Sequence, residues 1–126
     1  MRLTLVVVIS VIAGVMVGLW LWARQSPYRI PAEEARAKLA AGEIDLVLDV
    51  RTATERATLG FYPNSVHVAG ADLATVMPAQ FPNRSTRILV YCNTGQRARA
   101  AMEKLVALGY TNVRYISGSH LSLLRP

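Results

Sequence analysis

Residues 3–22 (LTLVVVISVIAGVMVGLWLW) run for twenty positions without a charge. At the rise of an α-helix they cover the roughly 30 Å hydrocarbon core of a bilayer. Lipid offers no partners to backbone N–H and C=O groups, so a segment of this kind has to satisfy them internally as a helix. The sequence therefore predicts a transmembrane helix over residues 3–23, a linker over 24–28 and one domain over 29–126. A cleaved secretory signal is the competing reading, because Met1 and Arg2 give a positive start. Against it, the run exceeds the roughly 7–15 residues of a signal core. Trp20 and Trp22 followed by Arg24 also look like an interfacial belt rather than a small-residue cleavage site.

Orientation follows from the basic residues. Arg2 and the free amine precede the span, while Arg24, Arg29, Arg36 and Lys38 follow it, so the positive-inside rule favours a cytoplasmic domain. A short chain with one N-terminal span suits a bacterial inner membrane. Gly14 and Gly18 form a Gly-x-x-x-Gly pair, a spacing that lets two such helices approach and form a homodimer.

Beyond the span, thirteen Lys and Arg stand against eight Asp and Glu, a formal +5. That balance suits a small anion or an anionic lipid surface. Nucleic acid is not expected, because the basic residues are scattered and no run of them lies beside aromatic residues. About a hundred residues make one small domain with one core. The chain has one cysteine, Cys92, which rules out an internal disulfide, a multi-cysteine metal site and a resolving thiol in the same chain. His67 and His120 lack ligand spacing, so neither a metal nor a cofactor is expected.

The domain reads as alternating elements. Pro31-Ala-Glu-Glu34 starts a helix with its acids near the positive end of the dipole, and Gly42 ends it. Asp45-Leu-Val-Leu-Asp-Val50 is a short apolar run of the kind buried in a parallel sheet. Thr52-Ala-Thr-Glu55 has the spacing of a capping box. Gly60-Phe-Tyr-Pro-Asn-Ser65 is a loop, and Ser65-Val-His-Val68 a second brief strand. Pro78, Pro82 and Asn83 are expected to break the short helix around Leu73 and Met77. Arg87-Ile-Leu-Val-Tyr91 is a strand that ends directly on Cys92. From Arg97 onward, Ala98, Ala101, Met102, Leu105 and Leu108 fall at helical spacing and Gly109 supplies the stop. A last strand follows near Val113 and Ile116. This order predicts an α/β domain with a mainly parallel sheet.

Cys92 thus sits at the carboxyl end of a strand and just before a helix, where open α/β sheets bind ligands. A loop curling from Cys92 to Arg97 can aim successive backbone N–H groups at the sulfur, and the helix adds its positive end, which favours a thiolate. Gly95 provides the positive φ for a tight curl. Arg97 can close the ring or add charge for an anionic substrate.

These segments together resemble the rhodanese-like sulfurtransferases. The resemblance rests on Leu48-Asp-Val-Arg51 with Glu55 after it, Gly60-x-x-Pro63, Val90-Tyr-Cys-Asn-Thr-Gly-Gln-Arg97, the helix ending Leu108-Gly-Tyr110, and Asn112-Val-x-Tyr-Ile-Ser-Gly118. It implies a small rhodanese-like domain, a mainly parallel sheet flanked by helices, and a thiosulfate sulfurtransferase mechanism. Cys92 would take a sulfane sulfur from a small anionic donor such as thiosulfate, hold it as a persulfide, and pass it to cyanide or an external thiol, including that of a partner protein. The resemblance makes Asn93, Thr94, Gly95, Gln96 and Arg97 the substrate-binding cradle, with Asp49 and Arg51 as supporting residues. An Asp-x-Arg at a strand end can equally be a structural ion pair, and Glu55 reads as a cap.

The same fold carries phosphatases, but those resemble one another in having five residues between Cys and Arg, against four here. The shorter ring fits a sulfur atom better than a tetrahedral phosphate. Two departures lie near the site. Relatives usually read Gly-His-Ile-Pro-Gly-Ala where this chain has Gly60-Phe-Tyr-Pro-Asn-Ser65, and Ser119 stands where a second glycine commonly follows the last strand. Little of the usual final helix is present, and Leu121, Leu123 and Leu124 are expected to cover part of that face. The alternative function is a non-catalytic, membrane-bound interaction or regulatory module of the same fold.

Overall fold

The computed structural model describes residues 1–125. Helix α1 (Arg2–Arg24) is long and apolar enough to cross a membrane, with a mean hydropathy of 2.6 over its most apolar stretch. Residues 1–21 are exposed along its whole surface, and only at Trp22 and Ala23 does it meet the rest of the chain. It is a candidate membrane anchor.

The remainder is an α/β unit around four parallel strands in the order β2-β1-β3-β4, with β1 Leu46–Asp49, β2 Val66–His67, β3 Arg87–Tyr91 and β4 Asn112–Tyr115. Side chains alternate across a pleated strand, which splits the apolar runs between two faces. Leu46, Leu48, Ile88 and Val90 point to one side, where helices α4 (Leu73–Gln80) and α5 (Gln96–Ala107) contribute Leu73, Met77, Ala98, Ala101, Met102 and Leu105. Val47, Leu89 and Tyr91 point to the other, against Ala35 of α2 (Ala32–Ala40) and Leu123 of α6 (His120–Leu124). Helix α3 (Ala53–Leu59) buries no side chain and is held by its ends: Thr52 and Glu55 form the capping box in both directions.

Two local expectations are corrected. Pro78 does not end α4, which continues to Gln80. The carbonyl left without a partner by the missing N–H is that of Ala74, an exposed residue that water can satisfy, and Phe81 N–H closes the last turn on the Met77 carbonyl at 2.8 Å. Of the three C-terminal leucines only Leu123 is buried; Leu121 and Leu124 face outward.

Residues 24–28 are not a slack connection. The Ser26 side chain accepts from Tyr28 N–H at 3.2 Å and its carbonyl accepts from Arg29 N–H at 3.2 Å. Tyr28 and Ile30 then flank β4: Tyr115 N–H donates to the Tyr28 carbonyl at 3.1 Å and Ile30 N–H to the Tyr115 carbonyl at 3.0 Å.

Candidate active site: a cysteine loop at the carboxyl edge of the sheet

Parallel strands present their carboxyl ends at one edge, and the loop leaving β3 carries Cys92 there, directly before α5. Its Sγ accepts from Gly95 N–H at 3.1 Å and from Ala98 N–H at 3.4 Å. Gly95 is the cap residue of α5, so both donors belong to the N-terminal end of that helix and point at the sulfur. Gly95 is required twice over. Its φ is +101°, and a Cβ there would lie 2.8 Å from the Ser117 Cα. Cys92 itself is 1% exposed, sunk within its own loop.

The side chains of the loop turn away from the sulfur. Thr94 and Gln96 bond to each other. Arg97 makes a bidentate pair with Glu55, at 2.6 and 2.8 Å, on the exposed side. Asn93 is held at both ends of its amide, donating to Glu55 at 2.7 Å and accepting from Arg51 at 3.4 Å. Glu55 therefore anchors two loop residues while also capping α3, and Arg97 holds its carboxyl well below the usual glutamate range, against a smaller opposing effect of burial. The capping-box spacing at Thr52 announced only the local half of this work.

Beneath the loop lies a buried polar knot. Arg51 donates to both Asp49 oxygens at 2.9 and 2.7 Å and to the Gly60 carbonyl at 2.7 Å. Asp49 also accepts from the Tyr91 hydroxyl at 3.0 Å and from Arg56 at 3.1 Å. Both Asp49 and Arg51 side chains are fully buried. Burial works against charge on Asp49, yet the Arg51 guanidinium and N–H outweigh it and hold the carboxyl below its usual value. Arg51 thus ties β1, the 60–65 loop and Asn93 together. Sequence reasoning missed Arg56 and Tyr91, because nothing local marks a side chain whose partner lies on another strand.

The departures from the family pattern are accommodated physically. Asn64, at the position of a usual glycine, has φ +65°, a conformation that asparagine tolerates better than most residues. Ser119 caps α6, accepting from Leu121 N–H at 3.3 Å. His67 bonds the Arg51 carbonyl at 2.6 Å. His120 is buried with no partner for Nδ1, and burial, then the charge of Arg51, pushes its pKa below the usual value.

Beside the loop a groove of about 370 Å³ is floored by Ala69, Gly70, Ala71, Ala100 and Ala101 and edged by Arg97 and Lys104. Small side chains below and cations at the rim suit a small anion, although Cys92 does not itself line the groove. Among the described residues no cluster of side chains could hold a metal ion.

A lone cysteine cradled by amides between a parallel strand and a helix, over a buried Asp–Arg knot, defines an α/β domain built around a sulfur-centred loop. Residues 31–122 match the model of the rhodanese-like domain, and the chain belongs to that family. It is similar to a thiosulfate sulfurtransferase from Pseudomonas aeruginosa, at 26% identity and a TM-score of 0.61 over 75% of this chain, although the match spans only 18% of that longer protein. It is similar to a human single-domain sulfurtransferase at 25% identity and a TM-score of 0.66, over 79% of this chain and 96% of the other. A rhodanese-related protein from Thermoplasma volcanium is 27% identical with a TM-score of 0.63, over 76% and 89% of the two chains. No curated protein matches the chain in sequence.

Proposed function

We propose that this chain is a membrane-anchored sulfurtransferase in which Cys92 carries a sulfane sulfur as a persulfide. The observation that carries the reading is the pair of N–H groups of Gly95 and Ala98 on Sγ at the head of α5. The Cys92 thiolate attacks the outer sulfur of a donor such as thiosulfate, the S–S bond of the donor breaks, and sulfite leaves with the bonding pair. The persulfide anion has the same N–H cradle available. A thiolate or cyanide then attacks the outer sulfur, and Cys92 departs as the thiolate. No metal or cofactor enters the balance.

The four-residue ring and the engagement of Arg97 by Glu55 weigh against phosphate chemistry. Helix α1 is read as an uncleaved single-pass span, in a bacterial inner membrane with the domain cytoplasmic. Gly14 and Gly18, whose surroundings on α1 are open, give it a surface for homodimer contact. The near-complete burial of Cys92 favours a second reading, a non-catalytic membrane-bound interaction module.

Intact-mass measurement of the full chain in detergent, incubated with thiosulfate, separates the two readings. A gain of one sulfur that cyanide removes and Cys92→Ser lacks is expected. No gain in folded protein would turn the assignment to the interaction module.

A further inference from the structure

The end of the candidate span is fastened to the domain by contacts that bypass the 24–28 segment. Arg99 of α5 donates to the Trp22 carbonyl and stacks 4.0 Å over the Trp22 ring. The Tyr115 hydroxyl donates to the Ala23 carbonyl. The Tyr115 hydroxyl closes a C-terminal carbonyl of α1, Arg99 adds a second donor to the Trp22 carbonyl that Gln25 N–H already reaches at 3.3 Å, and the Arg99 charge complements the negative end of that helix. Ala23 is wholly buried as a result.

Two routes lead from this fastening to the sulfur. Arg99 follows Ala98, whose N–H reaches Cys92 Sγ. By a second route, Arg29 donates to the Ser117 hydroxyl at 3.2 Å, and Ser117 is the residue packed against Gly95 of the loop. Summed along bonds, Sγ lies at most roughly 20 Å from the Trp22 carbonyl. Trp20, with Arg24 stacked 4.5 Å from its ring, and Trp22 mark the edge of the apolar span. The headgroup layer beyond that edge is roughly 5–8 Å deep.

We propose that α1 is a rigid mount rather than a tether, holding the Cys92 loop at the bilayer surface, and that the sulfur acceptor is a thiol presented at that surface. The proposal rests on α1 spanning a bilayer and on Cys92 carrying sulfur. In the step itself, an interfacial thiolate R–S⁻ attacks the outer persulfide sulfur, the S–S bond breaks, R–S–S⁻ forms, and Cys92 leaves as S⁻, so no oxidant or reductant is consumed. Fixing the loop at a short, constant distance from the end of the span raises the local concentration of such a thiol while doing nothing for one in solution. Arg24 and Arg29 also put positive charge beside the end of the span, where anionic headgroups would lie.

The test uses full-length chain in phosphatidylcholine vesicles, its Cys92 loaded from thiosulfate labelled in the sulfane sulfur. Two acceptors are compared: phosphatidylthioethanol in the same bilayer and 2-mercaptoethanol in the buffer. The Arg99→Ala, Tyr115→Phe double variant is expected to lose roughly tenfold in transfer to the lipid thiol and to keep its rate to the soluble one. Equal rates of the two proteins with the lipid thiol overturn the inference. A second measurement leaves the mount intact: a fluorophore on Thr94→Cys, in the Cys92→Ser background, is quenched by headgroup spin-labelled lipid more than one on Ser85→Cys at the opposite sheet edge. Equal quenching means a freely tumbling domain and also overturns it. A chain that leaves the vesicles, or never gains sulfur, refutes the proposed function itself and this inference with it.

Discussion

Replacing Glu55 by glutamine separates its local task from its distant one. The amide keeps an oxygen for Thr52 N–H, which the native Oε1 accepts at 3.2 Å, so the capping box can survive. In place of Oε2, however, an NH2 group faces Asn93 Nδ2 and an Arg97 nitrogen, donors against a donor. The Arg97 pair is 46% and 26% exposed, so its loss costs only about 0.5–1 kcal/mol. The Asn93 bond, partly buried and accepted by a charged oxygen, adds about 1–2 kcal/mol. Together they make about 2 kcal/mol, or roughly thirtyfold in the population of the closed loop. Two readouts follow. Sulfur transfer from thiosulfate to cyanide falls by tenfold or more, and alkylation of Cys92, 1% exposed in the closed loop, accelerates. Glu55→Ala also loses the reciprocal half of the capping box, the bonds from Thr52 to the carboxylate, and up to about 1 kcal/mol more of stability, while the Thr52 cap on the residue-55 N–H remains and the loop is little further affected. Unchanged alkylation and transfer rates in Glu55→Gln would refute the assignment of Glu55 as the anchor of the loop.

Gly95→Ala must carry a side chain at φ +101° and 2.8 Å from Ser117, so a loss of about 2 kcal/mol or more in urea unfolding and of persulfide formation is expected; a loss under about 0.5 kcal/mol contradicts the loop geometry. Asp49→Asn leaves Arg51 and Arg56 facing a neutral amide in a buried site, and about 3–5 kcal/mol of stability is expected to go, enough that the variant accumulates poorly; near-native melting would show that Asp49 carries no charge in the fold. His120 supplies a pH dependence. Its folded-state pKa lies below the ordinary value near 6.5, so below that pH the unfolded chain binds a proton that the folded one refuses, and stability falls as the pH drops. His120→Leu removes both this limb and the unpartnered Nδ1, and its midpoint in urea is expected to exceed wild type by more at pH 5.5 than at pH 8; a pH-independent difference would dismiss the titration.

The sequence alone determined what depends on neighbours along the chain. An uncharged run of twenty residues fixes a helix of bilayer length, apolar periodicity fixes the alternation of strands and helices, and a glycine three residues after Cys92 fixes the curl that aims amides at sulfur. Each of these follows from backbone geometry or from a repeat that can be counted. Tertiary structure decided everything that requires two distant segments to lie side by side. Glu55 reaches Arg97 across 42 positions because β1 and β3 pair in parallel and deliver α3 and the cysteine loop to one edge. Asp49 and Tyr91 are register partners on adjacent strands, which places that carboxylate under that hydroxyl. Pro78 stays within its helix, and the Ala74 carbonyl it leaves without a helical donor belongs to an exposed residue. The fastening of α1 spans 77 and 92 positions and depends on the short 24–28 turn returning the chain to β4. A hydrogen bond of this kind leaves no period and no spacing in the sequence, since its partners are set by strand order and register rather than by proximity in the chain.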